Sequence, residues 1–315
     1  MKQSEFIQLQ TSYWQESEQA LDLKNDNIDL PARYRLLSHH LALAETRQYS
    51  SHLIEYLRQL VLQYHSRLYA RKSNWFINLW RFFSFIFPNS VRDNANLVWF
   101  ASMIFFLPLV LSSLLIFLYP DSAYYFISYE QLADVHEMYD PENRVLGRER
   151  GEDGDWYMFG FYLYNNTSIG FRTFAAGLLM GVGSAFFLLF NAIYIGVIAG
   201  SIINVGYSTT FFSFVSGHSS FELLAIALSG AAGFILGQSL INPGNYRRKK
   251  ALQLAAKKAL PVMQGAMTFF FIAALIEAFW SSISQIDITI KVFVGIFLWC
   301  LILWYLFSSG RRELA

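Results

Sequence analysis

The chain has 315 residues, of which 54% are hydrophobic, 18% aromatic and only 15% charged, with a formal net charge of +1. Ordinary soluble domains carry about 25% charged residues; with 30 phenylalanines and a mean hydropathy of +0.31, the composition excludes a disordered chain and argues against a soluble globular enzyme. No basic patch sits on a large soluble domain, so nucleic-acid binding has no support, and the single cysteine, Cys300, excludes an intramolecular disulfide.

The sequence predicts an all-α protein, a polytopic membrane helix bundle of about six transmembrane helices preceded by a cytoplasmic helical domain over residues 1–96. Residues 1–30 have no basic start followed by an apolar core, so no cleavable signal peptide is expected. After a break at Asp26, Asn27 and Pro31, apolar residues recur at helical spacing: Leu36, Leu37, Leu41 and Ala44, then Leu53, Leu57, Leu60, Val61, Tyr64 and Leu68. His39, His40, His52 and His65 fall among them without the ligand spacing of a metal cluster. Residues 58–92 hold six Lys/Arg and no acid, with Trp75, Phe76, Leu79, Trp80 and Phe83 between them. That pattern predicts an amphipathic helix in the headgroup layer, ended by Pro88.

The transmembrane domain is expected over 97–315, beginning with a span at about 97–119 that contains Pro108. An acidic extracytoplasmic insertion follows at 120–168, with ten Asp/Glu and three Arg in residues 120–160. Its end, Trp156 to Tyr164, is aromatic and is expected at the membrane interface. Residues 169–212 are 44 residues of almost unbroken apolarity, too long for one span, and predict two spans with a tight turn near Phe190–Asn191. Further spans are expected at about 220–241, 262–283 and 290–307. Residues 245–258 carry six Lys/Arg and no acid, and Arg311-Arg312 follows the last span. The positive-inside rule then puts both termini and the 245–258 loop in the cytoplasm.

Ionisable residues inside spans cost roughly 2.5–3.5 kcal/mol each at mid-membrane and are functional suspects. Arg172, Glu222 and Glu277, with His218 just ahead of its span, are expected at similar depth toward the outer face as one buried polar cluster. They predict either ion pairs that lock the bundle or a polar pathway. His218 and Glu222 stand four apart, a spacing that places two ligands on one metal, with Glu277 the one plausible third; the metal content is left open. Gly177-x3-Gly181, Gly196-x3-Gly200 and Gly233-x3-Gly237 predict close helix packing or an oligomer interface. Asn165, Asn166, Asn191 and Asn204 are polar span residues that bridge helices or line a cavity, and Asn166-Thr167-Ser168 fits a glycosylation acceptor. No catalytic residue is assigned and no cofactor is expected.

The motif order also resembles a known family. Tyr34-Arg35, then Leu60-Val61, His65 and Leu68-Tyr69, precede Phe87-Pro88 and the first span. Asn165-Asn166 leads into a Gly-rich span, and Asn191 and Gly196 mark the next turn. Gly217-His218, Glu222-Leu223, Ala225-Ile226, Gly230-Ala231-Ala232-Gly233 and Gly237 open the following span. From about residue 30 to the C-terminus this resembles the stage II sporulation protein M family of bacterial integral membrane proteins, although Ser219 stands where that family usually has Gly. The resemblance implies a bacterial inner-membrane protein without an assigned enzymatic activity, working in a membrane complex. The expected partners are the lipid bilayer and other membrane proteins or further copies of the chain. Three functions are weighed: a non-enzymatic component that docks partners, a channel or transporter lined by Arg172, His218, Glu222 and Glu277, and an intramembrane metal-dependent hydrolase using His218 and Glu222.

Overall fold

A computed structural model describes residues 2–22, 29–68, 74–142 and 154–310. Arg71, Lys72, Arg311, Arg312 and residues 143–153 of the acidic insertion lie outside the described residues. All regular structure among the described residues is helical, in two compact units, Met1–Trp75 and Phe76–Ala315.

The first unit is built from α1 (Gln3–Asp22), α2 (Leu30–Thr46) and α3 (Ser51–Leu68). Asp29 caps α2 by accepting from the Ala32 amide at 2.9 Å, and Pro31 takes a first-turn position where its missing N–H costs nothing. The three helices bury Phe6, Trp14, Leu37, Ala44, Leu53, Leu57, Leu60 and Tyr64. Two polar contacts tie this core together: the Tyr64 hydroxyl donates to the Ser17 carbonyl at 2.9 Å, and the Trp14 indole donates to His40 Nδ1 at 3.1 Å.

The second unit begins at Phe76, within α4 (Trp75–Arg81), and continues with a π-helical turn (Phe82–Ile86) and α5 (Phe87–Asp93). Every residue of α4 is exposed, its Trp and Phe side chains included. The boundary between units falls at Trp75 and not at residue 96, because Phe87 and Val91 are buried in the transmembrane core. Phe87 lies so close to Gly265 that a Cβ there would collide with its ring.

The remaining helices are α6 (Ala95–Leu118), α7 (Tyr129–Met138), α8 (Gly154–Ala175), α9 (Val182–Asn204), α10 (Ser208–Val215), α11 (Ser219–Ile241), α12 (Arg248–Ile276) and α13 (Ile288–Ser308). Five of them, α6, α9, α11, α12 and α13, are long and apolar enough to cross a bilayer. At 22 residues α8 has the length as well, but its sequence carries Asp155, Asn165, Asn166 and Arg172. A π turn, Glu277–Ser281, extends α12 to a 34-residue helix of about 51 Å. That exceeds the roughly 30 Å of hydrocarbon, so the basic first turns of α12 project beyond one face.

Contacts give the helix directions. The Ser184 hydroxyl donates to the Thr173 carbonyl at 2.6 Å, so α9 doubles back along α8. Gly196 and Gly200 of α9 meet Leu109 and Ser113 of α6, which therefore runs parallel to it. Leu188 faces Gly230, and Ser184 faces Gly233, making α11 antiparallel to α9. Thus α6, α9 and α12 run one way and α8, α11 and α13 the other. The basic start of α12, the α8–α9 turn and the end of α13 share one end of the unit. At the opposite end lie α7, α10 and the turn before α13. Large exposed aromatics mark both ends, Trp80, Trp99 and Trp304 at the first, Tyr119, Tyr125 and Trp156 at the second, the amphipathic belts of membrane proteins. The central helix is α11, whose residues from Leu224 to Gly237 are all buried.

The turn within 169–212 falls at Gly177–Gly181, not at Phe190–Asn191, which lie inside α9. Trp156–Tyr164, read from the sequence as an interfacial stretch, forms the first turns of α8, so the apolar run enters near that helix's end. Gly181 supplies the turn through a left-handed φ of 84°. Gly177 and Gly181 also let the turn touch the backbone of α11 at Gly233 and Gly237, where no Cβ fits.

Candidate functional site

The site is made where α10 gives way to α11. His218 occupies the N-cap position of α11 and its carbonyl accepts from the Glu222 amide at 3.0 Å, so the two side chains lie one turn apart on one face. Gly217 puts the chain flat against the Trp280 ring, where a Cβ would collide. The Phe214 ring meets His218 edge-on at 5.4 Å. From the other side, the π turn after α12 brings Glu277 and Ser281 to the same place.

His218 is only 4% exposed. Its Nδ1 lies 3.0 Å from the Ser281 hydroxyl, while Nε2 faces Glu222 Oε2 at 3.7 Å, too long for a hydrogen bond. One ligand atom from each of His218, Glu222 and Glu277 lies within 4.8 Å of the other two. Beside them Lys291, fully buried in the first turn of α13, donates to the Ser281 carbonyl at 2.7 Å and lies 5.7 Å above the Trp280 ring.

A cavity of about 830 Å³ is lined in part by this cluster. His218, Glu222 and Glu277 are among its lining; its apolar walls include Leu109, Val110 and Leu114 of α6, Ile195 and Ile198 of α9, Phe211 and Phe212 of α10, and Ile296 and Trp299 of α13. Such a volume and lining suit a small amphipathic molecule.

Arg172 is not part of the cluster. Because α8 starts at Gly154, Arg172 falls in its last turn, toward the opposite end of the unit, with its side chain exposed. A cation there complements the helix C-terminus. Asn204 donates to the Phe117 carbonyl at 3.1 Å, Asn191 bonds back to Phe187 of its own helix at 2.7 Å, and Asn165 donates to Asn166 at 3.1 Å; none lines the cavity. Asn166 is 2% exposed within α8, which removes it as a glycosylation acceptor. The glycines Gly177, Gly181, Gly196, Gly200, Gly233 and Gly237 all serve close contacts inside the chain. Lys291 was not anticipated. It stands one turn from the start of a span, where a lysine is expected to reach water; the signal was an ionisable residue inside a span, four residues after the helix-capping Asp287.

A helical membrane unit with a polar cluster in the lining of a mostly apolar cavity, joined to a separate three-helix unit, defines the class of protein. The family model described as Stage II sporulation protein M matches residues 97–282, and the chain belongs to that family. The match runs from α6 to the π turn and stops before α13, narrower than the resemblance from residue 30 onward. Residues 4–70 match a separate domain of unknown function. Comparison with curated proteins and with solved structures returned no match.

Proposed function

We propose that this chain is a non-enzymatic inner-membrane component whose transmembrane unit holds an amphipathic molecule. The observation that carries this is the mostly apolar cavity of about 830 Å³ whose lining brings His218, Glu222 and Glu277 together. A lipid-like or otherwise amphipathic occupant keeps its chain among Leu109, Ile195 and Phe212 and its head beside His218, Glu222 and Glu277. An ion channel fits less well, since a conducting path needs polar groups along its length. In this reading the basic start of α12 faces the cytoplasm with both termini, and the aromatic α4 rests in the headgroup layer. The test is native mass spectrometry of the protein released from nanodiscs. Wild type is expected to carry a bound amphiphile, and filling the cavity by Ile195→Trp or Leu114→Trp is expected to remove it. Wild type free of any bound amphiphile ends the reading.

A second role, docking of partners, is supported by the first unit. It has its own core and matches a different domain from the membrane unit. Deleting residues 1–75 is expected to abolish assembly with membrane partners or further copies on native gels while leaving cavity occupancy unchanged. Undiminished assembly would move the docking surface to the membrane unit.

A further inference from the structure

We propose that His218, Glu222 and Glu277 bind a divalent first-row transition ion, with zinc the best fit, in the lining of the cavity. Two groups make the case beyond the gathering of carboxylates. His218 Nε2, on a side chain only 4% exposed, and the Glu222 carboxylate face each other at 3.7 Å. Neither group makes a hydrogen bond among the described residues, and both line the cavity, with the Glu222 side chain 20% exposed. With its N–H on Nδ1, His218 donates to the Ser281 hydroxyl and points the lone pair of Nε2 at Glu222. This is how a metal-binding imidazole is oriented, one nitrogen held by a hydrogen-bond partner and the other left to the ion.

The three ligand atoms lie within 4.8 Å of one another. Ligands at about 2.1 Å from a tetrahedral ion are about 3.4 Å apart, a contraction that rotations of the two glutamate side chains supply. The imidazole disfavours Mg²⁺ and Ca²⁺, which take oxygen ligands, and one nitrogen with two carboxylates suits zinc and its first-row neighbours. Three protein ligands leave a further position open toward the cavity. Through it the ion meets a donor atom on whatever enters, such as a phosphate or carboxylate head. The ion site does not depend on the amphiphile reading.

The experiment uses the full chain without a polyhistidine tag, in nanodiscs, stripped of metal and titrated with Zn²⁺ and Co²⁺. One equivalent per chain is expected, with X-ray absorption showing one imidazole and oxygen donors at about 2.0–2.1 Å. Glu277→Gln and His218→Ala are expected to lose that equivalent, and His136→Ala, whose imidazole lies 2.7 Å from the Ser201 hydroxyl and outside the cluster, to keep it. Ser281→Ala is expected to weaken binding about tenfold through loss of the hold on Nδ1. Helix content by circular dichroism checks each variant, and if His218→Ala fails to fold, Glu277→Gln alone decides. No bound metal in wild type, or an unchanged equivalent in Glu277→Gln, overturns the site. Metal analysis and amphiphile occupancy are separate readouts, so either proposal falls without the other.

Discussion

Lys291 donates from its ammonium to the carbonyl oxygen of Ser281 across 2.7 Å, fastening the first turn of α13 to the π turn that ends α12. Ser281 is thereby shared: its hydroxyl meets His218 and its carbonyl meets Lys291. Hydrogen bonds from charged groups contribute about 1.5–3 kcal/mol. Lys291→Met is therefore expected to lower stability by about 1–3 kcal/mol, read as a reduced thermal midpoint in detergent. An unchanged midpoint would mean that the ammonium does not fasten the two helices.

Gly177 meets the backbone of Gly233 with no room for a methyl group. Gly177→Ala is expected to cost about 1–3 kcal/mol by overpacking the contact between the α8–α9 turn and α11. Gly160, in α8 with nothing within 4 Å of a Cβ, is the control. Gly160→Ala should be neutral or slightly stabilising. Equal thermal midpoints for both variants would refute the close approach.

Burial, and secondarily the charge of His39, lowers the pKa of His40 from its ordinary value. Its Nδ1 already accepts from Trp14, so a proton there breaks that bond. The unfolded chain takes up a proton near pH 6.5 and the folded unit does so only at lower pH. Stability of the first unit is therefore full above about pH 6.5 and declines as pH falls through the interval down to the folded value. Hydrogen exchange of α2 amides in the full chain should quicken from pH 7 to pH 5, after correction for intrinsic rates, and less so in His40→Gln. Exchange that is flat over this interval would contradict the buried neutral imidazole.

Arg172 was expected in the cluster but is exposed in the last turn of α8. Arg172→Gln should shift stability by no more than about 0.5 kcal/mol and leave cavity occupancy and metal content unaltered. Loss of either would place the arginine back in the site.

The spans were legible because an apolar run of bilayer length fits few environments besides a membrane. Span edges at 97, 220 and 290 fall within two residues of the helix starts Ala95, Ser219 and Ile288. The start of α12 was missed because its basic first turns read as a loop: charge obscures helicity once the chain leaves the hydrocarbon. Arg172 was misplaced for a related reason. Its depth was counted from residue 169, where apolarity begins, whereas α8 begins at Gly154 with aromatic and polar residues. His218 and Glu222 were readable as a pair because four residues is one helical turn. Their meeting with Glu277 depends on how α12 packs on α11, a tertiary fact that no spacing encodes.

Glu222 stands in the first turn of α11, and Lys291 reaches the carbonyl that closes the helix before α13. The Lys291 ammonium thus lies at a helix end of opposite partial charge, and the Glu222 carboxyl at an end that favours its anion. Peptide dipoles are fixed in the backbone, and the Lys291 ammonium is fully buried, where mobile ions screen less than at a surface pair. Within the 0.1–1 M range, where the screening length shrinks from about 10 Å to about 3 Å, the interactions around Ser281 keep their strength. The lysines and arginines at the start of α12, which are exposed, lose theirs. Ionic strength therefore divides the molecule, screening the exposed cations that open α12 while leaving the buried contact between Lys291 and Ser281 as it was.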